Sequence, residues 1–270
     1  MIAAFYANLG QMEKAESIYQ EVLTRQQSLL GDLHLDTIWT QCCLGVVLFM
    51  SNRSPESFQK VEKAFADIES KLGPNHLDTL WVAHALAIVY ECSDKLDEAE
   101  ILQERVVKGY LMDLGPDHVN TLYMINDLGH CYARGKKMDK AEANFRKAYE
   151  GKLKSFGFRS PHTLYTATLL ASSMRDLGNE KGSEELFNKV LDTTIDLLGS
   201  EHADVAVCMM YLADLGLATE TPAIPKSYLT RLTAEFDVRV RQRRGRWMEK
   251  PLRPASSPAM YHLGRGESGV

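Results

Sequence analysis

Three sets of residues have the types and spacing to do chemistry. His34, His76, His118 and His202 recur in one sequence context, at multiples of 42 residues. Imidazoles in such numbers invite a metal, but one every repeat places them along a stack and not around a single ion. Loop packing or capping is the expectation, and no metal is expected. Cys42 with His84 and His130 could imitate a Cys–His nucleophile pair. The chain has no Gly-rich phosphate loop, G-x-S-x-G elbow or HExxH motif, so no catalysis and no cofactor are expected. Trp39, Trp81, Tyr123 and Tyr165 are also spaced by 42, and Arg134 and Arg175 follow two of them. Aromatic rings and guanidinium groups are the side chains that concentrate binding energy at protein surfaces. This third set is the one to which a function attaches.

Something periodic must position them. Gly31, Gly73, Gly115, Gly157 and Gly199 are each 42 residues apart, after Leu30, Leu72, Leu114, Phe156 and Leu198. A glycine at the end of an apolar-periodic run is a helix stop, because it accepts the left-handed backbone of a C-cap. Pro74 and Pro116 follow two of these glycines, where no helix can continue. Asp36, Asp78, Asn120 and Asp204, with His162 in the same column, precede Thr37, Thr79, Thr121, Val205 and Thr163. Asp or Asn there is expected to be the N-cap of the next helix.

Two helices are legible inside each period. One is expected from about Thr79 to Glu91, with Leu80, Ala83, Leu86, Ala87 and Tyr90 on one face. After the acidic SDKLDEAE break, a second is expected from about Leu96 to Leu114. A small residue recurs in the second helix as Ala15, Ser57, Ala99, Ala141 and Ser183, which lets two helices approach closely. Neither helix pair can bury its apolar face alone, so the pairs must stack. The expected fold is all-α: a right-handed α-solenoid of stacked antiparallel helix pairs.

These residues resemble the tetratricopeptide repeat. Leu86, Ala87, Tyr90 and Ala99, and again Leu128, Gly129, Tyr132 and Ala141, stand at that family's packing positions. The 42-residue period with LGPDH before the first helix looks like the kinesin-light-chain type, and is similar to the C-terminal repeats of fungal NB-ARC immune-receptor-like proteins. The resemblance covers about residues 1–218. It implies a TPR-like superhelix whose first helices line a concave groove. The groove positions it implies are Trp39, Trp81, Tyr123 and Tyr165, then Cys42, His84, Asn126 and Thr168, then Val46, Ile88 and His130, and towards the helix ends Arg134 and Arg175. The family's peptide-holding Asn pair falls on Cys42-Cys43, His84-Ala85, Asn126-Asp127, Thr168-Leu169 and Met210-Tyr211, where only Asn126 matches. A carboxylate clamp is not expected either, since the first two pairs offer cysteine, valine, histidine and isoleucine where donors are needed.

The implied function is a non-catalytic scaffold or adaptor that holds a peptide or helix of another protein in that groove, with acidic groups near Arg134 and Arg175. The competing reading of Trp39 and Trp81 is core packing between neighbouring pairs. An alternative is the sensor or oligomerisation array of a fungal NLR-like protein.

The repeat array is expected over residues 1–240. It opens with a half unit at 1–30, its first helix already in progress at Met1, which points to a missing upstream segment. Further units start near 36, 78, 120, 162 and 204, and a divergent capping helix is expected at 225–240, after Pro222 and Pro225. Residues 241–270 form a basic Pro/Ser-rich tail, expected to be disordered. Over 231–270 there are 9 basic and 4 acidic residues, a net of +5, which leaves the remaining 230 residues at −10 in a chain of net charge −5. Such a body repels phosphate backbones. Nucleic acid or anionic membrane is therefore an alternative partner only through the basic segment 239–253, where Arg239, Arg241, Arg243, Arg244 and Arg246 surround Trp247. Five cysteines without a CxxC pair read as small buried hydrophobes. No signal peptide and no membrane span are apparent, so the expected address is the cytoplasm, with the nucleus as an alternative through the tail.

Overall fold

In the computed structural model, residues 2–8, 11–52 and 54–199 are described. The columns at 200–218, the capping helix at 225–240 and the basic tail lie outside them. Among the described residues there are ten helices and no strand: α1 (Ile2–Asn8), α2 (Met12–Leu30), α3 (Leu35–Asn52), α4 (Pro55–Leu72), α5 (Leu77–Cys92), α6 (Leu96–Leu114), α7 (Val119–Arg134), α8 (Met138–Phe156), α9 (Pro161–Asp176) and α10 (Glu180–Leu198). Odd helices are the first and even helices the second of each pair.

These helices fall into two compact units, one up to Asp113 and one from Leu114. In the N-terminal unit α3 packs on α4, and also on α2 and α5; in the C-terminal unit α7 packs on α8, and α9 on both α8 and α10. Within each unit a first helix, α3 or α9, thus lies between its own second helix and the one before it. Such enclosure explains why α5 is buried at ten positions from Thr79 to Val89, whereas α4 is buried only at Ser57, Val61, Ala64 and Ile68. The fold is an all-α repeat of stacked helix pairs.

The small-residue column is what allows each pair to close. Ala15, Ala99, Ala141 and Ser183 have no exposed surface, and Ser57 has almost none. A second close approach lies opposite: a Cβ on Gly151 would stand 2.3 Å from Cδ2 of Leu122. That glycine is required for α8 to seat the Leu122 side chain.

The caps differ from the expectation in an instructive way. His76 and His118, not Asp78 and Asn120, are the N-cap residues of α5 and α7. Each accepts through Nδ1 a hydrogen bond from the backbone N–H two residues on, at 3.1 Å from Asp78 and 3.2 Å from Asn120. His34 does the same for Asp36 at 3.2 Å. The helix begins earlier than the acidic residue because the imidazole reaches the orphan donor. His34, His76 and His118 are therefore caps. In α9 the column is held by Ser160, which makes no side-chain cap bond, and Pro161 takes the first turn.

The stops differ too. Gly73 has φ 84 and ψ 168, and the other repeat glycines with both angles given are similar. This is positive φ as expected, but in the extended region that essentially only glycine occupies, and not the left-handed helical cap. A basic side chain of a second helix then reaches back to the preceding turn. Lys71 Nζ donates to the Leu33 carbonyl at 2.6 Å, Arg105 to the Pro74 carbonyl at 2.5 Å, and Lys154 to Asp117 Oδ2 at 2.6 Å.

Candidate binding surface

In the N-terminal unit, packing of α3 against α5 brings Trp39 and Trp81 together. Their rings stack with centroids 4.0 Å apart and 26° between planes. Trp81 is only 6% exposed and belongs to the same core as Ile38, Val61 and Ile68. Trp39 is half-buried against that core, and its Nε1 is buried without an acceptor. Cys42 and Val46 are buried, while Ile88 is half-buried.

His84 is buried, with Nδ1 3.1 Å from Oε1 of Gln103 on α6. Gln103 has no exposed surface, and its Nε2 lacks a partner. The column of Gln103 contains Tyr19, Val61, Phe145 and Phe187 in the other pairs. A polar pair therefore replaces an apolar contact inside this one helix pair.

In the C-terminal unit the same columns are more open. Tyr123, His130 and Arg134 form one stripe of α7 and are half-buried, as are Tyr165 and Arg175 on α9. His130 Nε2 lies 3.0 Å from the Tyr165 hydroxyl. Tyr123 meets His162 edge-on at 5.5 Å. Arg175 bonds Asp176 Oδ1 through Nη2 at 3.1 Å. Asn126 and Thr168 are buried. Thr168 Oγ1 donates to the Leu164 carbonyl, and Asn126 Oδ1 accepts from Thr166 Oγ1 at 3.1 Å. The column of Cys42, His84, Asn126 and Thr168 thus lies within the helix packing, and the columns of Tyr123, His130 and Arg134 reach its surface.

The residue that the sequence reading did not single out is Lys152, on α8. It is 1% exposed, donates to Thr166 Oγ1 at 2.9 Å, and holds Nζ 4.7 Å from the centre of the Tyr123 ring. Its column is Gln26, Ile68, Tyr110 and Thr194 in the other pairs. A lysine in a column of uncharged residues was the signal that could have found it.

Cys42 and Cys131 have the character of core residues. Burial lifts the Cys42 thiol well above its ordinary range, and pushes Cys43 up to about 11 against a hydrogen bond from Tyr19 that lowers it. Burial raises Tyr19 as well. These shifts oppose thiolate formation, and so oppose the nucleophile that a Cys–His pair would need. Cys131 is buried and Cys92 half-buried. Among the described residues, no group of histidine, cysteine and carboxylate side chains is arranged to hold a metal ion, and no helix is long and apolar enough to cross a membrane.

Antiparallel helix pairs repeating every 42 residues, closed by a small-residue column, define the class of helical-repeat scaffolds. Profiles of the tetratricopeptide repeat match residues 1–70, 43–112, 122–150 and 163–204. The chain belongs to the tetratricopeptide-repeat proteins. A search of curated proteins finds no match. Among solved structures, the chain is similar to a P. anserina protein described as a kinesin light chain with nearly identical TPR-like repeats. That similarity has a TM-score of 0.61 and 21% identity, over 73% of this chain and 93% of that one. BtubC (BKLC) from P. vanneervenii aligns with a TM-score of 0.67 and 15% identity, over 85% of this chain and 92% of that one. At such identities the likeness is one of fold. Repeats of this family are protein–protein interaction scaffolds and typically non-catalytic.

Proposed function

We propose that the chain is an adaptor that binds a segment of another protein through its first helices, and that the C-terminal unit supplies the principal contact. The observation that carries this is the stripe of half-buried Tyr123, His130 and Arg134 on α7 beside Tyr165 and Arg175 on α9. These side chains are wide, already partly desolvated and held by neighbours, so ordering them on binding costs little. Two guanidinium groups in a body of net charge −10 mark the place where acidic side chains of a partner are best received. An amphipathic helix or extended peptide with acidic groups at one end is the partner that fits.

In the N-terminal unit, Trp39 and Ile88 are half-buried in the same columns, and Trp81 stacks on Trp39 from within the core. The test is affinity capture from cells expressing the wild type, the double charge reversal Arg134→Glu/Arg175→Glu, and Lys147→Glu on the exposed face of α8. Each variant is first checked for an unchanged helical melt. A protein retained by the wild type and Lys147→Glu but lost from the double reversal is the expected result. Equal recovery on all three would refute the assignment.

A further inference from the structure

Two apolar side chains on α6 have no packing to explain them. Ile101 is 67% exposed and Met112 is 75% exposed. The column of Ile101 holds Ser17, Gln59, Ala143 and Glu185 in the other pairs, and that of Met112 holds Ser28, Ser70, Lys154 and Asp196. All of these are exposed, and each is polar or small, as suits a helix face turned to water. Eleven residues make close to three full turns, so Ile101 and Met112 stand on one line of α6, about 16 Å apart. The exposed Lys108 lies between them on that line, and the exposed carboxylates Asp97, Glu98 and Asp113 flank it. An apolar stripe edged by charged groups is the form of a contact surface.

Charge selects the occupant. Residues 1–113 hold 9 basic and 17 acidic residues, a net of −8, whereas residues 114–199 hold 12 and 11, a net of +1. The negative charge thus belongs to the N-terminal unit, which contains α6. Residues 239–253, outside the described residues, hold 7 basic and 1 acidic residue, a net of +6, with Val240, Trp247, Met248 and Leu252 among them. That segment has the opposite sign and its own apolar side chains. The chain from Gly199 to Arg239 is about 40 residues, which reaches about 130 Å when extended, more than ten times the width of a packed helix.

We propose that segment 239–253 folds back on its own chain and lies along the exposed face of α6. Trp247 and its apolar neighbours cover Ile101 and Met112, and the arginines face Asp97, Glu98 and Asp113. The basic segment then has a protein surface as its partner in place of a phosphate backbone or a membrane. This contact is separate from the binding role proposed above and does not depend on it.

The test is photo-cross-linking in the purified full chain. Lys108→benzoylphenylalanine places the reporter between the two apolar side chains, and Lys147→benzoylphenylalanine on the exposed face of α8 is the control. The products are mapped by mass spectrometry, with isotopically light and heavy chains mixed so that links within and between chains are told apart. Links from position 108 to 239–253 within one chain are expected, and the control should give few. Arg243→Glu/Arg244→Glu/Arg246→Glu is expected to lower the yield about three-fold or more, even if each charge contributes only as a surface pair does. Ile101→Ser/Met112→Ser, which installs residues of the kind found in the same columns, should lower it comparably. All substituted positions on α6 are exposed, and an unchanged helical melt confirms that the fold is kept. The proposal is overturned by equal yields at positions 108 and 147, by links that join light to heavy chains, which would make a second copy the occupant, or by a yield that both sets of substitutions leave unchanged.

Discussion

Trp81→Ala is the perturbation that best separates the supporting part of the tryptophan pair from its surface part. Trp81 is 6% exposed, and its ring lies 4.0 Å from that of Trp39. A buried tryptophan removes about 200 Å² from water, which at about 25 cal/mol per Å² is about 5 kcal/mol as an upper value. Mutational losses for buried aromatics of about 3–5 kcal/mol agree, and the stack adds about 1 kcal/mol. A loss of about 4 kcal/mol is expected. Because repeats are held mainly by their neighbours, the loss should be confined to the N-terminal unit. Urea unfolding followed by circular dichroism, with amide exchange reporting each helix, is the assay. Exchange should quicken throughout α3, α5 and α6 and change little in α9 and α10. Trp39→Phe is the counterpart. It removes a buried Nε1 that has no acceptor, so its stability should stay within about 1 kcal/mol of wild type. A Trp81→Ala protein that loses less than about 1 kcal/mol would show that the ring is a surface element and that its burial has been misjudged.

The cap assignment predicts that His76→Ala costs about 1 kcal/mol while His76→Asn costs much less, since Asn can accept the same N–H; equal losses in thermal melts would return the cap to Asp78. Gly151→Ala should cost about 1–3 kcal/mol, because its Cβ would stand 2.3 Å from Leu122; chemical unfolding of the variant decides. For Cys43, raised from an ordinary 9.0 to about 11, the neutral thiol is favoured by the fold. Its contribution is therefore complete below pH 9 and lost as pH rises towards 11. Alkylation of native protein at pH 8 should accordingly be slower at Cys43 than in urea, and equal rates would contradict the shift.

The periodic glycines and the small-residue column located the helix pairs, because backbone stops and close approaches depend on residue type alone. The second helix expected from Leu96 to Leu114 has those ends. The caps were displaced by two residues because Asp and Asn are the usual acceptors there, and an imidazole with the same reach stands two places earlier in His76 and His118. Depth was harder to read than direction. Trp81, His84 and Ile88 share a helical face by spacing, yet the first two are buried and the third is not fully so. Spacing fixes the direction of a side chain about its helix axis, whereas burial is set by the helices on either side. That difference bears on function. A row of aromatics at one period is not buried evenly: Trp81 lies in the core, whereas Tyr165 is half-buried and open to the contact proposed above. Lys152 escaped the sequence reading for a related reason. Its partners Tyr123 and Thr166 lie on two other helices, and Thr166 is 40 residues from the Asn126 it joins. Only packing reveals that a lysine lies behind the ring.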